Sequence, residues 1–358
     1  MNIELMPLED FYKNKRVLVT GHTGFKGAWL TYWLNNMGAK VCGYSKDVPP
    51  SDFNTSLYDA ADLSLNDLYY DMYGDIRDLG DIINCMKRFE PEIIFHLAAQ
   101  PIVSEGYASP HYTYETNVMG TINVLDAARH CPSVKSIAII TTDKVYNETK
   151  MDQTHGYSED NELNGYDPYS NSKSCADLAA QCYINCYMKP AGIPVSIFRA
   201  GNVIGGGDFA KNRIVPDFIK AWSTHNQLVL RSPYSIRPYQ HVLEPLYIYL
   251  TITMNQALGT GWDDIYNIGP DVSNCVTTEY LIQSLSKYFD KNGNASYAFQ
   301  PSEMKESKFL KLDCSYLKST GWAPVWDIDT TAEAIYRWYD AWNNNPKDTV
   351  SIRGIMHN

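Results

Sequence analysis

Short apolar runs alternate with segments of helical periodicity over the first 200 residues of the chain. The apolar runs predict strands at 16–20, 40–44, 67–73, 92–97, 136–141 and 194–199. Apolar residues that recur every three or four positions predict helices at 25–37, 111–130 and 169–188, with another helix beginning at 74–78. Strands that alternate with helices predict a parallel sheet with right-handed crossovers.

After residue 200 this regular alternation stops, and prolines interrupt a mixture of short elements. We therefore predict an α/β chain with a Rossmann-type doubly wound parallel sheet and a smaller mixed α/β lobe. The predicted sheet domain is 1–202 with 236–269 returning to it, and the predicted substrate lobe is 203–235 with 270–358. Residues 1–14 are predicted to be a polar lead-in. Substrate should bind between the lobes, at the carboxyl ends of the strands.

A glycine-rich turn joins the first predicted strand to the first predicted helix. Gly21, Gly24 and Gly27 follow that strand at three-residue intervals. Gly21 permits a tight turn, Gly24 lets backbone approach phosphates, and Gly27 lets the helix pack close to the strand. A chance glycine-rich turn is the alternative, which the position in the first strand–helix unit disfavours. The pattern predicts that a dinucleotide pyrophosphate rests on this helix N-terminus.

Two positions concern the adenosine end of such a cofactor. In NAD-binding folds an acidic residue near the end of the second strand holds the ribose hydroxyls. Here the strand ends in Tyr44-Ser45-Lys46, with Asp47 only beyond it, so the sequence leaves both NAD and NADP open. Asp75, after the third predicted strand, is either an acceptor for the adenine amino group or the N-cap of the next helix.

Composition narrows the choice of partners and compartment. The 358 residues include 30 basic and 41 acidic side chains, which gives a formal net charge of −11. This charge argues against nucleic acid or an anionic membrane as partner. No apolar run is long enough to predict a membrane span, and the N-terminus lacks a signal-peptide pattern. Eight scattered cysteines without a CxxC pair predict reduced thiols in a cytoplasmic protein and no metal site.

Two Tyr-x-x-x-Lys pairs occur, Tyr146–Lys150 and Tyr169–Lys173. With 27 tyrosines in the chain, such pairs arise by chance, so context must discriminate between them. The first pair lies in a polar loop, whereas the second opens a predicted helix with both side chains on one face. Thr142, at the end of the preceding strand, completes a Thr, Tyr, Lys set with this second pair.

Such a set can remove a hydroxyl proton while hydride passes to a nicotinamide. A tyrosine with a pKa of ~10 is a poor base at neutral pH. Lys173 and a cationic nicotinamide would favour the phenolate, whereas desolvation alone would act the other way. Thr142 would hydrogen-bond the substrate hydroxyl.

These motifs resemble the extended short-chain dehydrogenase/reductase family, whose members act on nucleotide sugars. The resemblance is carried by the glycine turn, Leu97-Ala98-Ala99 and Tyr169-x-x-x-Lys173. Longer strings are similar to the CDP-glucose 4,6-dehydratase branch of this family. Among them are Gly21-His22-Thr23-Gly24-Phe25-Lys26-Gly27, Thr116-Asn117-Val118-Met119-Gly120-Thr121 and Gly165-Tyr166-Asp167-Pro168-Tyr169-Ser170-Asn171-Ser172-Lys173.

The resemblance implies a 4,6-dehydratase with tightly held NAD, which forms a 4-keto-6-deoxy nucleotide sugar. Thr142, Tyr169 and Lys173 would oxidise sugar C4, and Asp143 and Lys144 would be the acid and base of the elimination. A surface Asp–Lys pair is the alternative for the last two. The cofactor contacts implied are Gly21, Thr23, Gly24, Phe25, Lys26, Gly27, Asp75, Ile76, Leu97, Ala98, Ala99, Tyr169 and Lys173.

The substrate contacts implied are Gln100, Asn202, Arg213 and Arg237. Guanidinium groups suit a diphosphate because they bridge its oxygens, although a surface salt bridge is the alternative for each arginine. The family also implies a homodimer, or a higher homo-oligomer, through the helices predicted at 111–130 and 169–188.

Two segments, 104–106 and 147–158, depart from the pattern of the branch. Ser104 and Gly106 stand where the branch commonly has an arginine and a serine, and Ser158 replaces another arginine. We therefore expect altered substrate recognition, and a 4,6-dehydratase acting on another nucleotide sugar remains open. A 4-epimerase or 4-dehydrogenase on the same fold is a second hypothesis, and a non-catalytic dinucleotide-sensing module is a third.

Overall fold

The structure is a computed structural model that describes residues 6–66, 68–150, 155–262, 264–290, 297–300 and 309–357. The strands in this part of the chain are β1 Arg16–Thr20, β2 Lys40–Ser45, β3 Tyr70–Tyr73, β4 Ile93–His96, β5 Ser136–Ile140, β6 Val195–Ala200, β7 Asn202–Ile204, β8 Leu228–Leu230, β9 Ile236–His241, β10 Ile265–Ile268, β11 Cys275–Thr277 and β12 Tyr297–Phe299.

The α-helices are α1 Leu8–Tyr12, α2 Phe25–Asn36, α3 Leu57–Ala60, α4 Leu63–Asn66, α5 Leu79–Phe89, α6 Val103–Ala108, α7 Pro110–Tyr114, α8 Gly120–Arg129, α9 Pro168–Tyr183, α10 Ile214–Ser223, α11 Leu243–Ala257, α12 Thr278–Phe289, α13 Ser315–Ser319, α14 Ile328–Asn344 and α15 Thr349–His357. A π-helical turn at Glu115–Met119 joins α7 to α8, and another at Ile184–Met188 extends α9. The two long helices predicted around these turns are confirmed.

A seven-stranded sheet forms the centre of the molecule. Its strand order is β10-β6-β5-β4-β1-β2-β3, and every neighbouring pair is parallel. Val17 and Val19 of β1 enter one hydrophobic core, and Leu18 between them enters a second core on the other face. Both faces are therefore covered, which explains why the strand is apolar at consecutive positions. The predicted doubly wound parallel sheet is confirmed.

Two small sheets accompany the large one. One has the order β11-β9-β7, and the other pairs β12 with β8. β10 lies at the edge of the large sheet beside β6, as the return of the chain to the first domain requires. β9, which the predicted division also gives to that domain, instead pairs with β7 and β11. The domain division itself stays a prediction.

Three local expectations are corrected by the structure. The predicted lead-in contains α1, which buries Phe11 and Tyr12. The Tyr12 hydroxyl donates to the carbonyl oxygen of Leu250 at 2.8 Å, and this partner 238 positions away gives no local signal. The helix predicted to begin at 74–78 begins at Leu79. Its N-cap is Asp78, so the N-cap alternative for Asp75 is wrong.

A buried ion pair fixes α9, the helix that carries Tyr169 and Lys173, to the sheet. Arg199 of β6 donates from Nε and Nη2 to the two carboxylate oxygens of Asp177, each at 2.8 Å, and both side chains are almost fully buried. Arg199 Nη1 also donates to the hydroxyl of Tyr146 at 2.9 Å. The pair therefore joins α9, β6 and the loop after β5.

Asp177→Ala is expected to lower the free energy of unfolding by about 3–5 kcal/mol, because Arg199 keeps a buried charge without its carboxylate. Urea unfolding measures this change. The control is Asp329→Ala, which removes an exposed ion pair with Lys287 at 2.9 Å and should change stability by less than about 1 kcal/mol. Equal changes in the two variants would contradict the assignment.

Candidate active site

A cleft opens at the carboxyl ends of the central strands, and the smaller sheets contribute its other wall. Most of the predicted catalytic and substrate-binding residues share it. The lining includes Phe25, Lys26, Leu97, Ala99, Thr142, Asp143, Lys144, Tyr169, Lys173, Asn202, Arg213 and Arg237. The predicted site residues outside this lining are Gly21, Thr23, Gly24, Gly27, Asp75, Ile76, Ala98 and Gln100.

The glycine turn packs too closely for side chains at two of its three glycines. Gly21 has φ +76°, and a Cβ there would lie 2.7 Å from the backbone nitrogen of Ala98. A Cβ on Gly27 would lie 2.0 Å from the carbonyl oxygen of Gly21. Gly24 is the N-cap of α2, and the nearest atom to a Cβ there is the Gly21 oxygen at 3.3 Å. The open N-terminus of α2 fits a pyrophosphate.

The end of β2 carries a buried polar network in place of an acidic side chain. Ser45 Oγ lies 2.8 Å from Nδ1 of the buried His22, and His22 Nε2 lies 2.9 Å from Asp71 Oδ1. Burial raises the pKa of the Asp71 carboxyl, but hydrogen bonds from His22 and Tyr58 outweigh it, so the net shift is downward. Thr23 Oγ1 donates to the carbonyl oxygen of Asp47 at 2.7 Å.

Asp75 and Ile76 lie beyond β3. Arg77 donates to the Asp75 carboxylate through Nε and Nη2, the latter at 2.7 Å, and these bonds hold the pKa of Asp75 below its ordinary value. Ile76 is buried, and its carbonyl oxygen accepts from Asn123 Nδ2 at 2.9 Å. The adenine contact of Asp75 stays a prediction.

Asp143 and Lys144 follow β5 in a single 3-10 turn that Thr142 caps. Thr142 Oγ1 donates to Asp143 Oδ1 at 3.0 Å, whereas Asp143 Oδ2 is buried without a hydrogen-bond partner among the described residues. Burial raises the pKa of Asp143 to about 6, against the lowering effect of the cations Lys144, Arg237 and Lys26. An aspartic acid with this pKa keeps a protonated fraction near neutral pH, as a proton donor requires.

Asp143→Asn is expected to stabilise the cofactor-free protein by about 2–3 kcal/mol at pH 8. The pKa of Asp143 is higher in the folded protein than its ordinary value of 3.8, so folding loses stability as pH rises from about 4 through 6. Asparagine removes this loss because it does not ionise. Urea unfolding should show the gain at pH 8 and little gain at pH 4, and an equal gain at both would identify a packing effect instead.

Tyr169 and Lys173 lie one turn apart on α9, which Asp167 caps by accepting from the backbone N–H of Ser170 at 3.0 Å. Lys173 Nζ donates to the carbonyl oxygen of Ile140 at 3.0 Å. Burial lowers the pKa of Lys173 to about 8 and raises that of Tyr169 to about 12, although a hydrogen bond with Thr142 opposes the second shift. In the protein alone Tyr169 is therefore protonated at neutral pH.

The other Tyr-x-x-x-Lys pair has a structural role. Tyr146 is buried, and its hydroxyl donates to Asn267 Oδ1 at 2.6 Å. Lys150 lies on the surface and pairs with Glu162. The two side chains point to different surroundings, as expected for a chance pair.

Asn117, in the π-helical turn before α8, was not among the predicted site residues. Its Nδ2 donates to Ser172 Oγ at 2.9 Å and to the Gln100 carbonyl oxygen at 3.1 Å, and its Oδ1 accepts from the Gln100 backbone N–H. Asn117 thereby fixes the segment after β4 against α9. The sequence signal for this position is the string Thr116-Asn117-Val118-Met119-Gly120-Thr121, which is among those that carry the resemblance.

The side-chain amide of Gln100 forms hydrogen bonds within the protein. Its Nε2 donates to Thr113 Oγ1 at 2.9 Å, and its Oε1 accepts from the backbone N–H of Ile102 at 2.5 Å. Both ends of the amide are thus held by neighbouring backbone and side chain. Its contact with substrate stays a prediction.

The predicted phosphate ligands face the cleft from the second wall. Arg213 Nη1 donates to Asp208 Oδ2 at 3.2 Å and remains about one-third exposed. Arg237 is buried, and its Nη1 donates to the carbonyl oxygen of Ile236 at 3.0 Å. Asn202 begins β7 beside them. The three side chains provide amide and guanidinium donors for an anionic ligand.

The two altered segments lie close to this machinery. Asn212 Nδ2 donates to Ser104 Oγ at 3.2 Å, which links the two walls. A Cβ on Gly106 would lie 3.0 Å from the backbone nitrogen of Tyr169. Tyr157 is buried and stacks on Tyr146 at 4.7 Å between ring centroids. Residues 151–154 of the second segment lie outside the described residues.

Comparisons with known proteins agree with this geometry. The family model described as GDP-mannose 4,6 dehydratase matches residues 18–335. CDP-glucose 4,6-dehydratase of Salmonella typhimurium is 41% identical over 344 residues, which cover 93% of each chain. Among solved structures, dTDP-glucose 4,6-dehydratase from Bacillus anthracis in complex with NAD has a TM-score of 0.77 at 20% identity, covering 94% of this chain and 99% of that one.

UDP-glucose 4-epimerase from Thermotoga maritima superposes with a TM-score of 0.76 at 19% identity, covering 91% of this chain and 99% of that one. Structural likeness at this identity establishes the fold only. The family match spans most of the chain, and the resemblance read from the sequence motifs is confirmed. The chain belongs to the GDP-mannose 4,6 dehydratase family.

Proposed function

We propose that the protein is an NAD-dependent nucleotide-sugar 4,6-dehydratase that converts CDP-glucose to CDP-4-keto-6-deoxyglucose. The observation that carries the proposal is the meeting of two residue sets in one cleft. Tyr169 and Lys173 come from α9, and Thr142, Asp143 and Lys144 come from the end of β5. The 41% identity to a CDP-glucose 4,6-dehydratase supports the substrate.

The first set acts at sugar C4. Tyr169 removes the proton of the C4 hydroxyl while Thr142 hydrogen-bonds the same oxygen. The glycine turn would hold NAD, which would supply the acceptor and later the donor of the hydride. Lys173, together with the positive charge of the oxidised ring, would favour the Tyr169 phenolate against burial. The closely packed glycines and the open N-terminus of α2 fit its pyrophosphate.

The second set performs the elimination. Once C4 is a ketone, the C5 proton is acidic, and Lys144 removes it. Asp143 donates its proton to the C6 hydroxyl, which leaves as water. An epimerase or a 4-dehydrogenase needs neither group, so the buried, partly protonated Asp143 in the same cleft favours the dehydratase.

The anionic diphosphate of the substrate would bind between Arg213, Arg237 and Asn202. Ser104 and Ser158 replace arginines of the CDP-glucose branch, so neither position carries a positive charge. We expect weaker discrimination among nucleotides as a result.

Purified protein incubated separately with CDP-glucose and with dTDP-, UDP- and GDP-hexoses tests the proposal. CDP-glucose should give a product with the alkali-induced absorbance of a 4-keto sugar. Mass spectrometry of the denatured protein should identify NAD. Turnover of none of these substrates would refute the dehydratase, and faster turnover of another nucleotide hexose would reassign the substrate.

The assembly and compartment are also proposals. Met119, Leu178 and Tyr187 are large apolar side chains that lie exposed on the helices at 110–129 and 168–188, which supports a homodimer through these helices. Analytical ultracentrifugation measures the oligomeric state.

The eight cysteines are free thiols, in keeping with a cytoplasmic location. Among the described helices, none combines the length and apolarity that crossing a membrane requires.

A further inference from the structure

A second cavity, here called the aromatic cavity, lies between α2, α11 and the segment that precedes α14. It has a volume of about 640 Å³, which is enough for a small organic molecule. It shares no lining residue with the active-site cleft. The side chains of its lining that carry rings or charge are Trp33, Glu244, Tyr247, Trp262, Trp322 and Trp326.

Glu244 is the only charged side chain in the described lining of the aromatic cavity. It lies in the first turn of α11 and is 6% exposed. Its Oε1 accepts from the backbone N–H groups of Val325 at 2.7 Å and Trp326 at 2.8 Å. Its Oε2 accepts no hydrogen bond from the described residues. One carboxylate oxygen is therefore left for a ligand.

The charge of Glu244 has no counterion within the described ranges of the chain. The one charged side chain that acts on its pKa is Asp271, which is also an acid and raises it, as burial does more strongly. His241, three positions earlier, supplies no positive charge at neutral pH because burial lowers its pKa to about 3. A buried carboxylate without a cation is costly, and a cationic ligand would reduce that cost.

The five aromatic rings of the lining suit a cation that carries apolar groups. A cation is attracted to the face of an aromatic ring, and most strongly to that of tryptophan. The lysines and arginines that the structure describes lie over other rings. A metal ion would need several oxygen ligands, whereas Glu244 offers one free oxygen. The lining therefore favours an organic cation.

We propose that the aromatic cavity binds a small organic cation of the quaternary ammonium class. Its positive charge lies beside Glu244 Oε2, and its methyl groups pack against the tryptophan rings. The carboxylate and the rings both attract the charge, and burial of the methyl groups adds hydrophobic stabilisation. This site is separate from the active-site cleft, so the inference does not depend on the proposed function.

Choline and 3,3-dimethyl-1-butanol test the proposal, because the two molecules have the same shape and only choline is charged. Their binding to the full chain is measured by calorimetry at matched ionic strength and about pH 8, where a carboxyl group is ionised. Tryptophan fluorescence gives a second readout, since four of the eight tryptophans line the aromatic cavity. Choline should bind about tenfold more tightly than the alcohol. Equal affinities, or binding of neither molecule, would overturn the proposal.

Glu244→Gln removes the charge but keeps an oxygen that can accept from Val325 and Trp326. It should weaken choline binding by about tenfold and leave binding of the alcohol unchanged. Trp322→Leu keeps an apolar wall without the ring, so it should weaken choline binding more than alcohol binding. This second variant tests the site if glutamine at position 244 disturbs folding. Choline affinity that is unchanged in both variants would place its binding elsewhere and refute the assignment.

Asp271→Asn is the matched control. This exposed carboxylate already pairs with Lys318 at 2.5 Å and is not part of the cavity lining. Its removal should change the affinity for choline by less than about twofold, because solvent and salt screen an exposed charge. A loss as large as that of Glu244→Gln would show that a diffuse negative field attracts choline, and would contradict a site built on Glu244.

Discussion

Tyr169→Phe is expected to lower turnover of the nucleotide sugar by about 10³-fold, within the range that a positioned acid–base group contributes. The variant keeps the aromatic ring but loses the hydroxyl oxygen that takes the C4 proton. Thr142, the other hydroxyl of the set, does not replace it, because an aliphatic hydroxyl does not ionise in the range where a phenol does. Single-turnover absorbance of reduced nicotinamide measures the oxidation step directly.

Removing the tyrosine hydroxyl of the other Tyr-x-x-x-Lys pair, Tyr146–Lys150, provides a control. Tyr146→Phe loses hydrogen bonds with Asn267 and Arg199, which should lower the free energy of unfolding by about 1–3 kcal/mol. Turnover per folded molecule should stay near that of the wild type. Comparable losses of turnover in the two variants would show that α9 does not carry the base.

The difference between these two tyrosines was accessible from the sequence. Helical periodicity after Tyr169 and an Asp-Pro entry before it distinguish a side-chain pair on one helix face from a pair in a loop. The parallel sheet was predictable for a similar reason. Strands such as β4 and β5 are apolar at consecutive positions, as expected for strands buried on both faces of a sheet.

Features that depend on distant partners were not accessible. Tyr12 looks like part of a polar lead-in until Leu250 and Thr253 are placed against it. The hydrogen bonds of the Gln100 amide with Thr113 and Ile102 were likewise not predicted, and its substrate contact stays a prediction. In each case a polar side chain is satisfied inside the protein by groups that local sequence does not reveal.

The electrostatic state of the site was partly accessible. The sequence predicts that burial would oppose the Tyr169 phenolate, and burial does raise its pKa to about 12. It does not predict that Asp143 Oδ2 lacks a hydrogen-bond partner among the described residues, or that burial lowers the pKa of Lys26 to about 7. These facts arise where β1, β5 and α9 converge, and they determine which groups hold protons at neutral pH.

Asp143→Asn is expected to separate oxidation from elimination. The amide keeps the shape of the side chain and can still accept from Thr142, but it has no proton to give to the leaving C6 hydroxyl. Dehydration should fall by about 10²–10³-fold, whereas Tyr169 and Lys173 should still oxidise C4. In rapid mixing experiments reduced nicotinamide should therefore accumulate in place of product, and the 4-keto hexose that keeps its C6 oxygen should be trapped by chemical reduction.

Asp217→Asn is the matched control, since this carboxyl group lines the same cleft from α10, on the other wall. It should neither accumulate reduced nicotinamide nor slow dehydration to a similar degree. If Asp143→Asn instead oxidised and dehydrated its substrate at the wild-type rate, the leaving hydroxyl would obtain its proton elsewhere, and the cleft would be that of an epimerase or a dehydrogenase. If it lost oxidation as well, Asp143 would act through Thr142 on the C4 hydroxyl. Accumulation of the reduced ring is therefore the result that assigns the acid of the elimination to Asp143.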